Sequence, residues 1–73
     1  MRIKAADVTT GDKVLRYGMW FHVEKIELLP AERGGQLLNF WLQPVSAGGA
    51  CFLALFPEET ITTDRAQAQE VEG

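Results

Sequence analysis

Residues 36–56, QLLNFWLQPVSAGGACFLALF, decide how this chain folds. They read as two apolar β-strands, 36–45 and 50–56, folded back on each other across Ser46-Ala47-Gly48-Gly49, because turn formers separate two alternating runs. In the first run Leu38, Phe40 and Leu42 alternate with Leu37, Asn39, Trp41 and Gln43, and a period of two sends the two sets to opposite faces. The first set reads as core-facing. Pro44 has no N–H to give a ladder, so it marks the strand's end or an edge position. In the second run either Cys51, Leu53 and Leu55 or Phe52, Ala54 and Phe56 suits a core. Apolar residues thus occupy both faces of both strands, and a chain of 73 residues is too short to bury both in its own interior. The surplus points to a binding surface.

Working upstream, residues 19–29 (MWFHVEKIELL) read as one long strand whose alternation changes phase. Met19, Phe21 and Val23 share a face, whereas Ile26 and Leu28 belong to the other. A β-bulge or sharp bend near Glu24-Lys25 restores both sets to one side, since one extra residue flips the register. Residues 30–35 (PAERGG) suit an exposed hairpin tip. Thr10-Gly11-Asp12 reads as a turn and residues 13–17 (KVLRY) as a first strand ending at Tyr17-Gly18. Residues 1–10 form a lead-in anchored by Ile3 and Val8, with Lys4-Ala5-Ala6-Asp7 as a single helical turn or an irregular hook. Downstream, Pro57-Glu58-Glu59 makes a turn before a brief β-branched strand, 60–63. Residues 64–73 (DRAQAQEVEG) lack an apolar face and are too few for an isolated helix.

Five short strands with a bent second one predict an all-β fold, a small five-stranded SH3-like barrel over residues 1–63 followed by a flexible acidic tail over 64–73. An OB-fold requires a helix for which residues 45–50 leave no room.

The segment Asp7-Val8-Thr9-Thr10-Gly11-Asp12-Lys13-Val14, followed by Gly18, Phe21 and Val23, resembles the opening of KOW-like SH3 barrels, in particular the N-terminal domain of elongation factor P. The tip Pro30-Ala31-Glu32-Arg33-Gly34-Gly35-Gln36 resembles that family's Pro-containing basic tip, with one residue inserted. The resemblance spans most of residues 7–56 and implies a barrel fold and a role at the ribosome. This chain departs from the family where the family's modified lysine stands, because Gly34 lies closest to that position and Arg33 is the only cation beside it.

The net charge is −3, and six of the seven Lys and Arg residues precede Gln36. Such a chain lacks the basic footprint that supplies most affinity for a phosphate backbone. One cysteine excludes an internal disulfide, and one cysteine with one histidine cannot complete a four-ligand zinc site. No cofactor or small-molecule substrate is implied. Thr9-Thr10-Gly11-Asp12-Lys13 lacks phosphate-loop spacing, and His22-Val23-Glu24 has no downstream P-C-x-x-C partner, so catalysis is not expected. Cys51 reads as a small buried hydrophobe. With no signal-like N-terminus and no membrane-length apolar segment, the expectation is a soluble, cytoplasmic protein.

With Phe21 and Phe40 inward, Trp20 and Trp41 point outward on neighbouring strands, with His22, Leu37 and Asn39 alongside. These residues, with Arg33 at the tip, are the candidate binding set. The leading expectation is a non-catalytic module using Trp20, Trp41 and Leu37, with Phe52 or Phe56, to dock through this aromatic strand face onto itself, as a homodimer or other homo-oligomer, or onto another protein. The competing expectation is an RNA- or ribosome-binding accessory protein using Arg33, Lys13, Arg16 and Lys25 on phosphates with a tryptophan stacked on a base.

Overall fold

Six strands form one antiparallel sheet in the computed structural model, which describes residues 1–46 and 48–65. They are β1 (Arg2–Lys4), β2 (Lys13–Arg16), β3 (Met19–Pro30), β4 (Gln36–Pro44), β5 (Cys51–Leu55) and β6 (Thr60–Thr63). Their spatial order is β1-β6-β2-β3-β4-β5, so β2 to β5 form a meander and β6 returns to pair with β2. The all-β expectation is met. The strand count and the closure differ from expectation: the sheet stays open, with β1 and β5 as its edges. The sixth strand comes from the lead-in, where Ile3 pairs with Ile61 and both are buried. A three-residue strand with one apolar residue carries no periodicity to read.

The bend in the second hairpin lies where the phase change requires it. Val23 pairs with Leu42 and Lys25 with Trp41, which leaves Glu24 as the extra residue of a bulge. Phe21 and Val23 before the bulge and Ile26 after it therefore face the same core. Opposite them Leu38, Phe40 and Leu42 are buried, as the alternation predicts. In β5 the ambiguity resolves toward Leu55, buried, with Cys51 and Leu53 half-buried on the same side. Phe52, Ala54 and Phe56 are exposed.

The lead-in covers the open side of this core. A 3₁₀ turn at Ala5–Asp7 is tied to the β5–β6 connection by Ala5 N–H to the Glu59 carbonyl (2.7 Å) and Ala6 N–H to the Pro57 carbonyl (3.1 Å). Ile3, Ala5 and Val8 thereby join Val14, Phe21, Val23 and Ile61 in one buried cluster. At the other end of β6 the Thr63 hydroxyl, buried at 1 % exposure, donates to the Met1 carbonyl at 3.1 Å, as a buried polar group must find a partner.

Residues 66–73, most of the expected tail, lie outside the described residues. Asp64 and Arg65 are held against the sheet. The Asp64 N–H donates to the Lys13 carbonyl (3.1 Å), and Arg65 forks onto Asp12 through Nε (3.1 Å) and Nη2 (2.8 Å). Burial raises the Asp12 carboxyl, but the Arg65 hydrogen bonds, the Thr9 N–H and the Arg65 charge outweigh it and hold it below the usual carboxylate range.

Candidate functional site

The bulge that aligns the core also assembles a cluster on the outer face. Once Glu24 is skipped, Lys25 and Glu27 lie on the same side as Trp41, and β5 brings Phe52 opposite Trp41 from the other flank. The Trp41 Nε1–H donates to Glu27 Oε1 at 3.1 Å. Lys25 Nζ stands 4.7 Å from the centre of the indole ring and 3.5 Å from Glu27 Oε2. The Phe52 ring meets the indole edge-on with centroids 4.9 Å apart, a favoured aromatic geometry. The Trp41 N–H and the Lys25 ammonium together hold the exposed Glu27 carboxyl below its ordinary range, the hydrogen bond being the larger cause.

A ring held at its N–H by Glu27, with the Lys25 ammonium over it and Phe52 packed against it, has few rotamers left to lose on binding, which reduces the entropic cost of docking. Trp41 nevertheless keeps 37 % of its surface open and Phe52 61 %. Along the same face, Leu37 pairs with Leu29 and Asn39 with Glu27 and Ala54, and Phe56 stands open just beyond β5. The result is an apolar field at one end of the outer face, interrupted by the Lys25–Glu27 ion pair.

The predicted set does not converge on one spot. Leu37, Asn39 and Trp41 lie together on β4, whereas Trp20 lies at the opposite end of β3, where its carbonyl accepts the Val45 N–H at 3.0 Å. The His22–Gln43 rung separates the two tryptophans. Trp20, 38 % exposed, instead joins Gly18, Met19, Val45 and Ser46 around a shallow open hollow of about 260 Å³. His22 is half-buried between Lys13 and Gln43. Arg33 sits exposed in the turn that Gly34 N–H closes onto the Ala31 carbonyl (3.2 Å), at the far tip of the β3–β4 hairpin.

Glu27 is absent from the predicted set although it touches Trp41, whereas Phe52, named with Phe56 as a docking residue, stands against the Trp41 ring. Glu27 pairs across the sheet with Asn39. It has no sequence signal as a partner of Trp41, because its place on the Trp41 side of β3 exists only after the bulge sets the register. Tyr17, read as the last residue of the first strand, lies instead in the turn after Arg16. It is 77 % exposed and, with Gly18, adopts positive φ (53° and 73°), the mirror-image turn favoured between two twisted strands.

Among the described residues no group of three or more His, Cys, Asp and Glu is placed to hold a metal ion. No described helix is long and apolar enough to cross a membrane. Compared with protein-family models and with curated proteins, the chain matches none.

Proposed function

We propose that this protein is a non-catalytic interaction module, an SH3-like sheet that docks a protein partner on the outer face of β3, β4 and β5. Trp41 is the anchor and Phe52, Phe56, Leu37 and Leu29 surround it. The observation that carries this reading is the state of Trp41: held rigid by Glu27, Lys25 and Phe52, yet left 37 % exposed in an apolar field. Rigid aromatic anchors with charged neighbours at their border are the composition of an interface centre. The bent β3 and the return of β6 to β2 support the SH3-like description.

The cations named for phosphate contacts lie on different elements, Lys13 and Arg16 on β2, Lys25 on β3 and Arg33 in the β3–β4 turn. Lys25 is engaged with Glu27 and the Trp41 ring, Arg16 lies 5.7 Å from the Tyr17 ring, and Arg33 is at the distant hairpin tip. Nothing in this arrangement favours RNA over protein.

The test is affinity capture from cell extract with the wild type and Trp41→Ala in parallel, followed by titration of the captured protein against both. Binding by the wild type that falls more than about tenfold in the folded variant supports the reading. Equal binding by both, or no protein bound by the wild type, refutes it.

A further inference from the structure

The two edges of the sheet are built differently. The β1 edge is three residues long and carries Arg2, bonded to the Thr60 and Thr62 hydroxyls, and Lys4, paired with Glu58 at 3.1 Å. A short, charged edge strand resists the addition of another chain. The β5 edge reads Cys-Phe-Leu-Ala-Leu, with no charge, no proline and an unbroken register against β4. Among the described residues its backbone pairs with β4 alone, so alternate N–H and C=O groups face outward without a partner. Such an edge is a template for one more strand.

The strand that fits best is β5 itself. Two copies running antiparallel about a two-fold axis at Leu53 set Phe52 opposite Ala54 of the second copy, and the reverse, so a large side chain meets a small one twice on the outer face. On the inner face the half-buried Cys51 meets Leu55 and the half-buried Leu53 meets its own counterpart. No charges are opposed along this seam, although each chain carries a net charge of −3. We propose that β5 pairs with β5 of a second copy, making one sheet continuous across both chains with the two Trp41–Phe52 clusters on the same outer face. This deepens the docking reading by assigning one border of the docking face to a second copy.

A five-residue antiparallel pair makes about five backbone hydrogen bonds, which at about one per 100–200 Å² corresponds to roughly 500–1,000 Å², the low end of specific interfaces. The dimer should therefore dissociate on dilution through the micromolar range.

The test is light scattering and amide exchange on the full chain from about 1 μM to 1 mM, with Ala54→Lys and Trp41→Ala beside the wild type. Expected are a mass that doubles with concentration, β5 amides that exchange more slowly as it does, a dimer weakened more than about tenfold by Ala54→Lys, and one retained by Trp41→Ala. Ala54 is exposed, and unchanged far-ultraviolet dichroism checks that its variant folds. A monomer throughout, or a dimer indifferent to Ala54→Lys, overturns the inference. So does a monomer whose β5 amides are already protected, since another part of the chain then occupies the edge. A dimer lost in Trp41→Ala and kept in Ala54→Lys means that the copies meet face to face, in which case the edge inference falls and the docking reading stands. A dimer of the expected kind whose partner capture ignores Trp41→Ala leaves the edge inference standing and removes the docking reading.

Discussion

Replacing Trp41 with alanine separates what this residue does for the fold from what it offers a partner. An aromatic side chain buries roughly 150–250 Å² when fully covered. With Trp41 37 % exposed, its covered part against Phe52, Lys25 and Glu27 amounts to roughly 150 Å². At about 25 cal/mol per Å² the gross loss is about 4 kcal/mol. The alanine that remains and the compactness of the unfolded chain reduce this to about 2–3 kcal/mol. A small domain has roughly 5–15 kcal/mol in total, so the variant should stay folded, with a melting temperature lower by roughly 10–20 °C. The open part of the ring, roughly 90 Å², is worth about 2 kcal/mol at an interface centre, or about a 30-fold loss of affinity. Urea and thermal unfolding followed by near- and far-ultraviolet dichroism measure the first quantity, and partner titration the second. A variant without a cooperative transition would make Trp41 part of the structural core and refute the docking role. A stability change below about 1 kcal/mol would mean that the ring does not make the three contacts described, since their covered area predicts more.

Other outcomes follow from particular residues. Tyr17→Asn should stabilise the protein by about 0.5–1 kcal/mol, because asparagine tolerates the positive φ of this turn better than tyrosine does; destabilisation in urea would show that the Tyr17 ring, close to Arg16, contributes more than its backbone costs. Because the folded Asp12 carboxyl lies below its unfolded value of about 3.9, its contribution is present above that pH and is lost as pH falls through the folded value. Wild type should thus exceed Asp12→Asn in urea stability at pH 7 and converge on it as the pH falls through the folded value; a constant difference would mean that the Arg65 fork does not act on the carboxylate. Deleting Glu24 removes the extra residue yet keeps Val23 opposite Leu42, Lys25 opposite Trp41 and Ile26 opposite Phe40, so the variant should still unfold cooperatively in urea; loss of a cooperative transition would show that the bend made by the bulge, and not its phase correction alone, is needed to close the core.

Much of the sheet was legible because the alternation period is local. Leu38, Phe40 and Leu42 announce a buried face, and the phase slip between Val23 and Ile26 announces a bulge, since each depends only on side chains a few residues apart. The first strand, β1, was illegible for the opposite reason. Its single anchor, Ile3, acquires meaning only by pairing with Ile61, fifty-eight positions later. The candidate site divides in the same way. That Trp20 and Trp41 point outward follows from Phe21 and Phe40 pointing inward, but their separation along the sheet depends on which rung each occupies.

The amino-acid sequence by itself determined an all-β chain, the inward set of β4, the positions of its turns and a surplus of apolar residues, all properties of neighbouring residues and their period. Only the tertiary structure decided that the sheet stays open, that Glu27, Lys25 and Phe52 surround Trp41, that Arg65 belongs with Asp12, and that the uncharged β5 is left as an edge. Each of those depends on strand order and register between distant segments, which are selected by how one small core can be covered from all sides, and no local pattern encodes that choice.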